Sequence, residues 1–107
     1  MILSSTHEVA GKKITKSHGL VKGNTIRARN LGRDIVAALK NLVGGEIEEY
    51  TKLMGQSREQ AIDRMIASAE EKGANAVIGV RFSTSYIMQG AAEIMVYGTA
   101  VSVEDEG

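Results

Sequence analysis

Two rhythms divide the apolar residues in the second half of the chain. From Glu46 to Lys72, the positions Ile47, Tyr50, Met54, Ala61, Met65 and Ala69 keep one helical phase, with Arg58 filling the step between Met54 and Ala61. The stretch Met54-Gly55-Gln56-Ser57 resembles a helix break followed by a new capping box, Ser57-x-x-Gln60. A break would reset the phase, and the phase does not reset. One long helix is therefore predicted, tolerating Gly55 at about 1 kcal/mol relative to alanine and ending where Gly73 supplies the C-cap. At 1.5 Å per residue it would be roughly 40 Å long, enough to cover one face of a small sheet.

Beyond Gly73 the period changes to two. Ala76, Ile78, Val80 and Phe82 alternate with Val77, Gly79, Arg81 and Ser83, and Ala92, Ile94, Val96, Gly98 and Ala100 alternate with Glu93, Met95, Tyr97, Thr99, Val101 and Val103. The first set of each strand is the expected partner of the helix. The second sets mix Val77, Met95, Tyr97, Val101 and Val103 with charged and hydroxyl side chains, where a solvated antiparallel face would alternate more cleanly. Each fully buried valine or methionine contributes about 1.5–3 kcal/mol, and a three-stranded sheet has open edges as well. A closed ring of subunits would satisfy both, so Met95, Tyr97, Val101 and Val103 are the expected assembly surface.

The first forty residues read as strand, turn and helix. Residues 12–24 alternate imperfectly and end on the turn signal Gly23-Asn24. Asn30 then offers an N-cap to Leu31, Ile35, Leu39 and Leu42 at helical spacing, and Gly44-Gly45 stops this short amphipathic helix.

Composition narrows the function classes. A chain of 107 residues is expected to be a single domain, residues 1–107, with room for a sizeable core. The absence of cysteine removes disulfides, thiolate metal sites and cysteine nucleophiles. Four aromatic residues, none of them tryptophan, make a poor stacking platform for single-stranded nucleic acid. No apolar run is long enough for a bilayer and no signal-peptide pattern opens the chain, so a soluble cytoplasmic protein without a membrane partner is the default expectation. The formal charge is zero but uneven: residues 1–40 carry Lys12, Lys13, Lys16, Lys22, Arg27, Arg29, Arg33 and Lys40 against Glu8 and Asp34. Such a split can steer an anion to one surface or make neighbouring subunits complementary.

The landmarks also fall in a familiar order. "SHGLVKGNTIRARN", "RDIVAALKNLVGGEIEEY", "REQAI", "GANAVIGVRF" and "YGTAV" together resemble the YbjQ-like family, labelled a heavy-metal-binding domain, over nearly the whole chain. The resemblance implies an α+β subunit of β-α-β-β type, a short and a long helix packed on one face of a small antiparallel sheet. It implies assembly as a homo-oligomeric ring, a pentamer, in which strands of neighbouring subunits continue one another. It implies no established activity. The family pattern often has a cysteine near the position of His18, and the histidine here weakens thiolate-based metal chemistry.

The candidate chemistry is sparse. His18, and after it His7, are the metal candidates for a divalent ion, with Glu8 and the thioethers of Met54, Met65, Met88 and Met95 as further donors. A zinc or copper site needs three or four converging ligands, and the histidine spacing matches neither a helical nor a strand pair. The methionines fit helix and strand packing better. Arg27, Arg29 and Arg33, near the start of the first predicted helix, are the candidates for a small anion, since free amides there add to the attraction. Enzyme readings are weaker: Ser17 and His18 are sequence neighbours on opposite strand faces, the glutamate pairs suit a solvated helix, and "KGNTIRARN" lacks the order of a phosphate-binding loop. The expectation is a homo-oligomeric binding or scaffold protein holding a metal ion or small anion between subunits. A small-molecule enzyme with a shared site is the alternative, and nucleic-acid binding through the basic N-terminal portion ranks below both.

Overall fold

The computed structural model describes residues 1–27, 45–88 and 91–106. Its elements are β1 (Ile2–Leu3), β2 (Lys12–Arg27), α1 (Gly45–Glu71), β3 (Ala76–Met88) and β4 (Ala91–Asp105). The four strands form one sheet in the order β1-β3-β4-β2. Because β1 runs parallel to β3 while the other pairs are antiparallel, the sheet is mixed, and the expectation of a small antiparallel sheet is corrected on that point. The principal extents of 57 × 25 × 17 Å follow from β2, whose 16 residues at about 3.3 Å each span roughly 50 Å. Residues 30–44, most of the predicted short helix, lie outside the described residues.

Helix α1 forms as one element through Gly55, as its unbroken phase requires. Ala61, Met65 and Ala69 are fully buried against Val21, Val77, Ile94, Val96 and Ala100, with Met54, Ile62 and Val80 packed around them. The helix lies mainly over β2 and β4. Its close approach depends on Gly23, where a Cβ would stand 2.0 Å from the Ala61 carbonyl oxygen and 2.4 Å from the Met65 amide nitrogen. The helix ends at Gly73 in the left-handed region, φ 83°. There the Ala74 amide donates to the Ala69 carbonyl at 3.1 Å and the Gly73 amide to the Glu70 carbonyl at 3.0 Å, the paired bonds of a Schellman cap.

The faces of β3 differ from the alternation read in the sequence. Val77 faces the helix, whereas Ala76 and Ile78 join Ile2, Val101 and Val103 on the other face. The cause is an irregularity between Ile78 and Arg81, where Gly79 takes φ 63° and inserts an extra residue, so that Val80 returns to the helix side. In β4 the expected face holds: Ile94, Val96 and Ala100 meet the helix cluster.

Part of the opposite face is covered by the chain itself. β1 and β2 occupy opposite edges of the sheet, so residues 4–11 must cross β3 and β4, and α1 already takes one face. Before crossing, residues 4–6 continue β1 along the outer edge of β3. The Gly79 amide donates to the Thr6 carbonyl at 2.8 Å, the Val80 amide to Ser4 at 3.0 Å, and Arg81 donates to the Ser5 carbonyl at 2.7 Å. The Ser4 and Thr6 hydroxyls both donate to the Glu8 carbonyl, at 3.0 and 2.8 Å. At the same end of the sheet, Val101 and Val103 are only 1% and 7% exposed. The surface assigned to them for assembly is thus used inside one subunit. Asn75 adds to this end as a side-chain strand mimic, its amide accepting from the Val103 amide at 2.8 Å and donating to the Val103 carbonyl at 2.9 Å.

Candidate functional site

His18 occupies a second irregularity, between Ser17 and Gly19 of β2, where Gly19 adopts φ 92°. The extra residue brings the imidazole to β4, and Nε2 lies 2.7 Å from the Ser102 hydroxyl in a half-buried contact. Sequence alone gave no hint of Ser102, because its position opposite Lys16 depends on two register shifts of β2, between Ile14 and Lys16 and between Ser17 and Gly19. His7 lies in the crossing connection and is exposed, its ring 3.7 Å from where a Cβ of Gly79 would stand. Among the described residues no group of three or more histidine, cysteine, aspartate or glutamate side chains could hold a metal ion. With no cysteine in the sequence and the His18 Nε2 engaged by Ser102, the donors in the described part of one chain do not fit a closed heavy-metal site.

The three arginines are not brought together in view. Arg27 is the last residue of β2, opposite Ala92, while Arg29 and Arg33 fall outside the described residues.

A different set of polar residues gathers on the sheet face away from α1. Strand register places Lys22 opposite Tyr97, and Tyr97 opposite Arg81, so the three share one row across β2, β4 and β3. The adjoining rows are Leu20, Thr99 and Ile78 on one side and Asn24, Met95 and Ser83 on the other. The Arg81 guanidinium is held by the Ser5 carbonyl at 2.7 Å and the Val80 carbonyl at 2.8 Å. The Asn24 amide donates to Glu93 at 3.1 Å. Tyr97 and Met95 are half-buried on this face, while Leu20 is 67% and Ile26 56% exposed. Elsewhere the charges are conventional. Lys12 pairs with Asp105 and Lys13 with Glu104 at 3.1 Å, closing the far end of the sheet. The hydrogen bond and charge of Lys12 hold the Asp105 carboxyl below the usual carboxylate range.

Among the described residues, both sheet edges are open at the end opposite these ion pairs. β2 has a partner only on its β4 side among the described residues. β3 is covered on its outer side by β1 at Ala76 and Val77, and by residues 4–6 up to Val80, and among the described residues Arg81–Met88 has no outer neighbour. Register puts this segment level with residues 20–27 of β2, since Arg27 and Tyr86 both face Ala92. No described helix is long and apolar enough to cross a membrane.

Comparisons with known proteins identify the family and support the fold. A family model described as "Putative heavy-metal-binding", YbjQ_1, matches residues 1–104. A UPF0145 protein of Dehalococcoides mccartyi is 64% identical over 104 residues, which is 97% of this chain and all of the relative. A UPF0145 protein of Clostridioides difficile is 54% identical over 106 residues, covering 99% of this chain and 95% of the relative. One from Methanosarcina acetivorans is 52% identical over 103 residues, covering 96% and 97%. In fold, the chain is similar to a crystal structure from Pediococcus pentosaceus of a DUF74-family protein of unknown function, with a TM-score of 0.65 and 16% identity over 97% of this chain and 98% of that one. Sequence and model match together establish that the chain belongs to the YbjQ-like, UPF0145 family.

Proposed function

We propose that this chain is the subunit of a homo-oligomeric ring that serves as a binding or scaffold protein, with a small anion as its ligand class. The observation that carries the reading is the pair of edges left open among the described residues at one level of the sheet, residues 20–27 of β2 and Arg81–Met88 of β3. A solitary edge strand is normally guarded by charge. The first part of β2 carries Lys12, Lys13 and Lys16, while residues 20–27, beside Lys22 and Arg27, include exposed Leu20 and Ile26. Pairing the open edge of β2 with the open edge of β3 in the next copy is heterologous, and a heterologous contact that closes makes a ring. The shape favours association too: the radius of gyration is 17.2 Å, against about 13 Å for a compact domain of this length. We take the ring to be five-fold, as the family resemblance implies.

The test uses substitutions on surface that one subunit leaves exposed. Leu20→Lys combined with Ile26→Lys leaves the helix cluster intact, so the circular dichroism of a folded α+β chain is retained while the oligomer falls to monomers in size-exclusion chromatography with light scattering. An unchanged oligomer in that double variant refutes the edge pairing. Val101→Asp is unsuitable, because Val101 is buried within the subunit and its loss would unfold the chain.

A further inference from the structure

We infer that the row Lys22–Tyr97–Arg81 on the sheet face away from α1 is a binding site for the phosphate or carboxylate group of a small molecule. The site lies within one chain, so it does not depend on the ring. Three observations meet there. The first is a local charge excess. Two cations flank a phenol on neighbouring strands, and no carboxylate shares their row or either adjoining row. The nearest acid on this face of β4, Glu93, stands four residues from Tyr97 along the strand, about 13 Å at 3.3–3.4 Å per residue, and is engaged by Asn24. The second is unspent donor capacity. Among the described residues the Lys22 ammonium and the Tyr97 hydroxyl have no hydrogen-bond or ion-pair partner, and the bonds of Arg81 to Ser5 and Val80 both use one nitrogen of its fork. The third is preorganisation. The carbonyls of Ser5 and Val80 hold one nitrogen of the Arg81 guanidinium at the outer edge of β3, and Tyr97 is half-buried in the central strand, so two of the three groups lose little freedom when a ligand arrives.

The recognition chemistry follows from those groups. Lysine supplies a mobile point charge, arginine a planar donor edge and tyrosine a neutral hydroxyl, a combination suited to an oxyanion with three acceptor oxygens or two. The ring of Tyr97 and the apolar atoms of Leu20 and Met95 in the adjoining rows would lie under the body of the molecule. This differs from the arginine trio expected from the sequence, since none of Arg27, Arg29 and Arg33 takes part.

The probe is inorganic phosphate, titrated at constant ionic strength into the isotope-labelled full chain and followed by amide chemical shifts, with acetate in a parallel titration. The expected result is saturable shifts centred on Lys22, Arg81 and Tyr97. Affinity falls about tenfold, equivalent to about 1.4 kcal/mol, in Lys22→Ala and is retained in Lys22→Arg. Tyr97→Phe keeps the ring and loses the donor, and is expected to weaken binding while leaving the fold unchanged. Saturation by phosphate alone assigns a phosphate ligand, and saturation by acetate alone a carboxylate. Shifts that grow linearly and match a chloride control overturn the proposal, as do saturable shifts unaffected by Lys22→Ala. Light scattering on the same samples reports the oligomer separately, so failure of the ring and failure of this site are distinguishable.

Discussion

Replacing Gly23 with alanine tests the packing of α1 on the sheet more sharply than any truncation in the core. The added methyl would meet backbone on the helix: 2.0 Å to the Ala61 carbonyl oxygen and 2.4 Å to the Met65 amide nitrogen, with the Arg64 Cβ at 3.0 Å. Neither backbone atom can rotate away as a side chain could. Carbon contacts settle at about 3.5 Å, so helix and strand must separate by more than 1 Å at the point where Ala61 and Met65 are fully buried. Overpacking of this kind costs typically 1–3 kcal/mol, and the backbone clash places Gly23→Ala at about 3 kcal/mol or above. That is a large part of the roughly 5–15 kcal/mol available to a domain. Gly55→Ala is the matched control, since its Cβ meets nothing within 4 Å and it sits inside α1. There the same chemical change is expected to stabilise by about 1 kcal/mol. Urea denaturation followed by circular dichroism, at one fixed protein concentration because association adds to stability, reads both. A Gly23→Ala variant within about 0.5 kcal/mol of the parent would show that the helix does not sit on β2 as described.

Other consequences are independent of that contact. Asn75→Ala removes both bonds to Val103 and leaves part-buried backbone groups unpaired, with an expected cost of about 1–3 kcal/mol in the same assay. Gly73→Ala places a Cβ at φ 83°, where a loss of about 1–2 kcal/mol is expected without any change in far-uv spectrum. Asp105 titrates below its ordinary value of 3.8 because of Lys12. Its pairing therefore adds stability above that ordinary value, which is lost as pH falls through the lowered folded value. Lys12→Ala should move the Asp105 carboxyl back up in a nuclear magnetic resonance titration, and an unmoved carboxyl would contradict the pairing.

How far the sequence could be read depended on whether one segment sufficed. Helix α1 was legible because its stripe, the missing phase reset at Gly55 and the cap at Gly73 are all local. The strands β3 and β4 were legible as strands for the same reason. The side that Ala76 and Ile78 face was not, because Gly79 inserts one residue and a single insertion inverts every side chain beyond it. β1 is two residues long and pairs parallel to a strand more than seventy positions away, so no local pattern announces it. Missing β1 also hid the crossing of residues 4–11. That is why Val101 and Val103 read as assembly surface in the sequence and are buried in the subunit. Tyr97 was correctly placed away from the helix, yet its neighbours Lys22 and Arg81 emerge only from register. The same holds for Ser102 beside His18.

Native mass spectrometry of the unmodified protein, purified without added metal, is the most direct test of the ring. The open edges of β2 and β3 predict a single closed oligomer, five-fold if the family expectation holds, with no open series of larger assemblies. A monomer at micromolar concentration would contradict the ring and leave those edges to be explained by something other than a second copy of this chain.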